Sequence, residues 1–553
     1  MAASITQNIA SHLAVMAGQH PDRPAVLCPA RRDAQGLVQY TQYTFRELDD
    51  ASSRLARGFE RIGIRRGTRT ALLVPPSLDF FALTFALFKL GAVPVLIDPG
   101  IGLKQLGNCL AEAEPQAFIG IPKAHAARVL LRWARSVSLP VTVGAKWFWG
   151  GHTLEQVRAL APAGETFDLA LPEPGETAAI LFTSGSTGAP KGVVYTHEIF
   201  TAQVGHIRAL YGIQPGEIDL PTFPLFALFG PALGMTEVLP EMDPTRPAQV
   251  DPVKIIAAIE RFGVTNMFGS PAVINRVGRH GEAHGIRLPT LRRAISAGAP
   301  VPAKVLARFA RMLPSGAQVF TPYGATECLP VSSIGSDEIL GDTRKLTESG
   351  LGVCVGRPVP GLIVRVIRIT DDPVLVWDDP LELKPGEIGE IVVQAEHATR
   401  SYFHHPKATA LAKISDSGGR FYHRMGDVGY LDDTGRLWFC GRKSHRVATS
   451  HATLFTIPCE AIFNTHPAVF RTALVGVNRA GEMEPVICVE LEPEARDHDH
   501  DKLRSELREL AARHPHTQAI KTFLFHPGFP VDIRHNAKIF REKLAVWAAH
   551  QPA

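Results

Sequence analysis

The sequence predicts an α/β protein: a large N-terminal domain of mostly parallel sheets covered by helices, with a small β-rich subdomain, followed by a small α+β domain. Three observations predict it. Short apolar strands alternate with helical segments up to about Gly356, and strands joined through helices run parallel. Beyond Gly356 the helical periodicity gives way to strands and turns, LIVRVIRI, GEIGEIVVQA and GRLWFCGR. From about Lys443 a further unit of about a hundred residues, an ordinary domain size, has its own strands and helices.

In chain order, Thr44 and Glu47 in YTFREL form a capping box, and Leu48, Leu55, Phe59 and Ile62 continue it as a helical stripe. The strand TALLVPP follows, then the apolar run FFALTFALF, which reads as a buried helix stopped by Gly91. It is too short to span a bilayer. AVPVLIDPG and AAILFTSG are strands, residues 197–211 a helix, and TNMFGSP, RRAISAGAP and AQVFTPYG further strands. The last unit reads as strands RTALVGV and PVICVELEP, helix DKLRSELRELAARH, strand KTFLFHP and a final helix.

A chain of 553 residues, 45% hydrophobic and 20% charged, is an ordinary globular protein too long for one core. Its 58 basic and 54 acidic residues nearly balance at +4, without a long basic block or a basic–aromatic weave, so nucleic acid is not an expected partner. The seven cysteines, Cys28, Cys109, Cys328, Cys354, Cys440, Cys459 and Cys488, show no CxxC spacing. They suit a reducing cytosol and give neither a disulfide framework nor a zinc site. The N-terminus lacks a basic region followed by an apolar core, so a cytoplasmic protein without a signal peptide or transmembrane segment is expected.

The segment TSGSTGAPKG holds the first chemistry. Gly185, Gly188 and Gly192 accept the left-handed angles that turn backbone N–H groups toward an anion. Thr183, Ser184, Ser186 and Thr187 add hydroxyls, and Lys191 a charge. It is not a Walker A loop, because Pro190 precedes Lys191 and Gly192 follows it.

Downstream come TPYGATE (321–327), SYFHHPKAT (401–409), HRMGDVGYLDDTGRLWFCGRK (423–443) and NAKIFREKL (536–544). In this order and spacing the chain resembles the adenylate-forming enzymes: acyl-CoA synthetases, nonribosomal peptide adenylation domains and luciferases. The resemblance covers essentially the whole chain. It implies an N-terminal domain over 1–441 that binds acid and ATP, with its β-rich subdomain at about 356–441. A hinge at 442–446 and a mobile C-terminal lid over 447–553 complete the implied organisation.

It also implies roles. The loop Thr183, Ser184, Gly185, Ser186, Thr187, Gly188 with Lys191 would grip the β- and γ-phosphates of ATP. Tyr323 and Gly324 would lie against the adenine, with Gly298, Ala299 and Pro300 on its other face. Thr326 would touch the α-phosphate and Glu327 would bind Mg²⁺, a hard cation suited to carboxylate oxygen. Asp427 would accept from the ribose hydroxyls, Arg442 would assist, and Lys538 would bridge substrate carboxylate and α-phosphate. Fixed cations and N–H donors stabilise charge developing on phosphoryl oxygens, and losing Lys538 is expected to cost about 3–4 kcal/mol of barrier.

The histidines are read more plainly. DHDHD (497–501) precedes a helix and reads as a cap with a solvated face rather than a metal tract; His404 and His405 read as surface polar residues.

FPLFALFGPALGM (223–235) falls where this family builds its acyl pocket. It offers no acid to pair with an amino acid's ammonium, and a buried unpaired charge is too costly. Gly230, Ala232 and Gly234 are expected to leave room beside Phe226 and Phe229 for a fatty, bulky acid. After Arg442 the family runs G-R-x-D-x-x-(I/V)-K-x-x-G, with the glycine lining a thiol channel. This chain reads GRKSHRVATSHATLF: Ser444 stands at the hinge acid, Ala448 at the lysine, and the glycine is absent. Coenzyme A is therefore not the expected acceptor.

Together these segments look most like the branch that makes β-lactones in bacterial long-chain olefin biosynthesis. That resemblance implies a 2-alkyl-3-hydroxy fatty acid whose own hydroxyl attacks the acyl adenylate, and association with other enzymes of that pathway. A long-chain fatty acyl-CoA ligase, a fatty acyl-AMP ligase, and a non-catalytic nucleotide-binding relative stay open as alternatives.

Overall fold

The helix Phe45–Ile62 begins at the expected cap. The Thr44 hydroxyl accepts from the Glu47 amide at 3.2 Å, and the Glu47 carboxylate accepts from the Thr44 amide at 2.7 Å. Each satisfies a donor the helix itself cannot. The apolar run is the helix Leu78–Leu90, capped by the Ser77 hydroxyl and ended by Gly91 at φ 70°. Eleven of its thirteen residues are buried, as a helix apolar on every side requires. Lys89 is buried with them and places its ammonium 2.7 Å from Asp49 Oδ1 and 2.7 Å from Ser53 Oγ, so the buried charge is paired.

The computed structural model describes residues 8–162, 164, 167–182, 190–479, 481–532 and 538–552. Among these, one seven-stranded sheet runs in the order His152–Thr153, Leu139–Thr142, Ala117–Gly120, Arg69–Leu73, Val93–Ile97, Thr177–Phe182, Gly192–Thr196. It is parallel except for its last pair. A nine-stranded sheet is parallel from Pro24–Arg32 through Thr236–Val238, Ile218–Pro221, Asn266–Phe268 and Arg293–Ile295 to Gln318–Ala325, with antiparallel strands at both ends. One buried apolar cluster joins the two sheets, from Val26 and Ile295 through Phe81 and Phe85 to Ile119 and Ala179.

The β-rich part is an antiparallel sheet of Val353–Cys354, Leu437–Arg442, Phe421–Leu431, Gly389–Gln394 and Ile363–Ile367, with Lys413–Ser415 alongside. After a single 3-10 turn at Lys443–His445, the last unit packs three helices on the sheet Val469–Arg479, Glu482–Leu491, Thr522–Phe525. Lys304 and Glu492 form an ion pair between this unit and the rest. Asp499 caps the helix His500–Ala512, accepting from the Asp501 and Lys502 amides at 2.9 and 3.3 Å, so DHDHD is a helix start. Among the described residues no helix is long and apolar enough to cross a membrane.

Candidate active site

The strands Gln318–Ala325 and Cys328–Gly335 pair with Ala325 opposite Cys328, so Thr326 and Glu327 form a two-residue hairpin tip. Gly324 is required by the close approach: a Cβ there would lie 2.7 Å from the Cys328 carbonyl oxygen. From the same hairpin Tyr323 donates its phenol to Asp427 Oδ2 at 2.6 Å. Asp427 Oδ1 lies 2.9 Å from an Arg442 guanidinium nitrogen. Asp427 and Arg442 are cross-strand partners, so the ladder itself sets their meeting. Burial pushes the Asp427 carboxyl above the usual range, opposed by Arg442 and by the Tyr323 phenol. The negative charge of Asp427 in turn holds Arg442 protonated more firmly.

Gly298, at φ 97°, opens an exposed bend after the strand Arg293–Ile295, followed by half-buried Ala299 and exposed Pro300. Ile295 pairs with Phe320 and the Ser296 amide donates to the Phe320 carbonyl at 2.8 Å. The bend and Tyr323 therefore leave the same end of the sheet.

A strap within the segment SYFHHPKAT ties the remaining residues together. The Thr399 amide donates to the Glu327 carbonyl at 2.8 Å, Val194 to Ser401 at 3.2 Å, and Phe403 to Gly192 at 2.7 Å. Between them the Tyr402 phenol donates to Glu327 Oε1 at 2.7 Å, and its ring centroid lies 5.2 Å from the Lys191 ammonium. Tyr195 donates its phenol to the Thr326 carbonyl. Beneath the strap, half-buried Lys413 donates to the Thr399 carbonyl and lies 3.1 Å from His423 Nδ1. Burial brings Lys413 down to about 7, with the Glu327 carboxylate opposing. Burial, and then Lys413, hold His423 neutral.

The described residues thus join Tyr323, Asp427, Arg442, Thr326, Glu327 and Lys191 in one connected neighbourhood. Thr183, Ser184, Gly185, Ser186, Thr187 and Gly188 lie outside the described residues. Lys538 is half-buried in the C-terminal unit, where its amide donates to Asp532 Oδ1 at 2.9 Å and its carbonyl accepts from the Asp532 amide at 3.0 Å. His405, expected as a surface residue, keeps 40% of its side chain exposed and places Nε2 3.0 Å from Glu112.

In the expected acyl pocket Phe226 stacks on Phe268 with centroids 4.3 Å apart, and Phe229 meets Phe200 edge-on at 6.4 Å. The glycines do not leave room as expected. A Cβ on Gly230 would stand 1.4 Å from Glu237 Oε1, and one on Gly234, at φ 80°, would stand 2.8 Å from Met16 Sδ. They are small because a carboxyl and a thioether already fill the space. Glu237 and Asp219 are buried cross-strand neighbours, and Asn266 donates its amide to Asp219 Oδ1. Burial raises both carboxyls, Asp219 to about 7 and Glu237 well above its ordinary value, with Asp219's charge adding to the latter.

Past the turn holding Ser444, the strands Val447–Ala448 and Thr453–Leu454 pair as a hairpin, its tip closed by Thr449 Oγ1 accepting from the His451 and Ala452 amides. This hairpin lines a cavity of about 630 Å³ together with Gly350, Cys459 and His516, on a side that contains none of the Tyr323–Asp427–Arg442 group.

The family model described as AMP-binding enzyme matches residues 13–403. An olefin beta-lactone synthetase from Xanthomonas campestris pv. campestris is 52% identical over 98% of this chain and 98% of its own length. The olefin beta-lactone synthetase of Stenotrophomonas maltophilia matches equally, 52% identical over 98% of both chains. Among solved structures, the amide bond synthetase McbA from Marinactinospora thermotolerans superposes with a TM-score of 0.79 at 24% identity, over 98% of this chain and 99% of that one, a likeness of fold.

Proposed function

The chain belongs to the AMP-binding enzyme family and is an ATP-dependent ligase, and from that premise we propose that it converts a long-chain 2-alkyl-3-hydroxy fatty acid into a β-lactone. The observation that carries this reading is the 52% identity, over nearly the whole chain, to two olefin beta-lactone synthetases.

The side chains fit the nucleotide. Asp427 presents a buried carboxyl, raised by burial and opposed by the Arg442 guanidinium 2.9 Å from Oδ1, as an acceptor pair for vicinal ribose hydroxyls. Tyr323 is fixed by its phenol, leaving its ring face as the adenine support opposite Gly298, Ala299 and Pro300. Thr326 and Glu327 project from the hairpin tip toward the phosphates, and Glu327 offers half-buried carboxylate oxygen, the donor type Mg²⁺ prefers. When bound, Mg²⁺ neutralises charge on those phosphates. Lys191 and the 183–188 loop would hold the β- and γ-phosphates, and Lys538 on the C-terminal lid would bridge carboxylate and α-phosphate.

In the first step a carboxylate oxygen bonds to the α-phosphorus while the bond to pyrophosphate breaks. In the second the 3-hydroxyl oxygen bonds to the acyl carbon, its proton leaves, and AMP departs. Ring strain opposes closure, but holding the hydroxyl against an activated carbonyl makes the attack effectively intramolecular. No external thiol is needed, in agreement with a hairpin at 447–454 that has no glycine to admit one. Coenzyme A is accordingly not a substrate in this reading. Phe226 and Phe229 would border the acyl chain.

The deciding experiment supplies a racemic 2-alkyl-3-hydroxy acid with ATP and Mg²⁺. A β-lactone seen by NMR, with AMP and pyrophosphate, is expected, and Lys538→Ala abolishes it. Rapid thioester formation with a fatty acid and coenzyme A would instead establish an acyl-CoA ligase.

A further inference from the structure

Residues 115–154 contain five Lys or Arg and no Asp or Glu, although acids make up 54 of 553 residues and about four would be expected in forty. The same stretch holds Trp133, Trp147 and Trp149, three of the chain's six tryptophans. The overall charge balance hides this cluster.

Folding gathers the cluster at one edge of the seven-stranded sheet. The helix Pro122–Leu130 and the loop that follows the strand Leu139–Thr142 lie side by side. Trp149 stacks flat on His125 at 5.3 Å and donates its indole N–H to Thr142 Oγ1 at 2.9 Å. Trp147 and Phe148 lean on Trp149 at 5.2 and 5.4 Å, and Lys146 closes the loop base onto the Gly151 carbonyl at 2.8 Å. On this fixed base Trp147 is 57% and Phe148 72% exposed. At the other end of the helix Leu130 and Leu131 are 76% and 51% exposed. Of the cations in the stretch, Lys123, Arg132, Arg135 and Lys146 are exposed and Arg128 half-exposed. The nearest acids in sequence, Glu114 and Glu155, stand outside the stretch on either side.

We propose that this face docks the enzyme on an anionic lipid surface. Single exposed apolar residues are ordinary, but two adjacent exposed aromatics held on a stacked Trp149–His125 base, in an acid-free basic stretch, are not. Indole and phenyl rings settle at the headgroup boundary, and Lys and Arg stems reach past them to lipid phosphates. A second copy is disfavoured because five cations would face five cations.

Flotation of the full chain with vesicles tests it. Binding is expected to mixed phosphatidylcholine–phosphatidylglycerol vesicles at low salt, but not to phosphatidylcholine alone. Tryptophan emission should shift to the blue on binding. The double substitution Trp147→Ser with Phe148→Ser, and separately Arg132→Glu with Lys146→Glu, should each lower the bound fraction about tenfold. Both should leave the melting temperature unchanged. Absence of binding to the anionic vesicles, or binding that survives both variants, overturns the proposal. A concentration-dependent dimer abolished by Trp147→Ser with Phe148→Ser would also overturn it, in favour of self-association.

Discussion

Tyr402 and Glu327, 75 residues apart, meet through a 2.7 Å hydrogen bond in which the phenol donates to Oε1, while the Lys191 ammonium stands 5.2 Å from the same ring. One aromatic side chain therefore touches both an expected metal ligand and an expected phosphate clamp. Losing a hydrogen bond to a charged group costs about 1.5–3 kcal/mol, roughly one to two decades in rate at about 1.4 kcal/mol each. Tyr402→Phe should lower ATP–pyrophosphate exchange by that factor and raise the Mg²⁺ concentration needed for half-maximal rate. An unchanged Mg²⁺ requirement would show that the phenol does not order this carboxylate.

Asp427→Ala should weaken the nucleotide site and the fold together. It leaves the Tyr323 phenol without its acceptor and Arg442 without its counter-charge. Breaking a buried pair costs about 3–5 kcal/mol; Arg442 keeps 32% of its side chain in solvent, which places the loss at the low end. Asp427→Asn keeps an acceptor for Tyr323 and should cost less. Urea midpoints and ATP titrations of the two variants give the comparison.

Gly230→Ala should be poorly tolerated, because its Cβ would stand 1.4 Å from Glu237 Oε1. Overpacking of this kind costs about 1–3 kcal/mol or more. Shortening the partner removes the clash, so Gly230→Ala combined with Glu237→Ala should be less destabilised than the sum of the single changes. Strict additivity in denaturant melts would place Glu237 elsewhere.

The buried acids also set a pH dependence. Asp219, near 7, and Glu237, well above its ordinary value, bind protons more tightly folded than unfolded. Their contribution is therefore full below an unfolded carboxyl pKa near 4. It is lost as pH rises from there through about 7, where folded Asp219 ionises. Hydrogen bonds from Asn266 and Glu237, and more weakly the Arg293 charge, oppose the rise of Asp219 without cancelling it. Stability measured across this range should fall toward neutral pH, and Glu237→Gln should flatten the fall. A wild-type curve that rises instead would mean that neither carboxyl is held protonated.

Local signals made much of the fold legible. The Thr44–Glu47 box, the Gly91 stop and the 197–211 helix each depend on neighbours within a few residues, and the structure has them where expected. The order of motifs likewise led to Tyr323, Asp427 and Arg442. The part played by Tyr402 is not legible in its segment, because its partners Glu327 and Lys191 are brought to it only by ladder pairing between distant strands. Gly230 was read as space because sequence gives residue size but not what faces it, and Glu237 arrives from the next strand of the sheet. The 122–151 face escaped notice for a third reason: charge averaged over a whole chain says nothing of where folding collects it.

The strap at 399–403 has a consequence for how this enzyme can change over generations. Through backbone bonds it holds Glu327 at one end and Gly192 and Val194 at the other. The hairpin tip and the strand that follows Lys191 thus share one mechanical support rather than two. A substitution in any of these three stretches shifts the setting in which the others are judged, so their effects on fitness should be epistatic. Acceptable variants should then arise as matched sets rather than one position at a time.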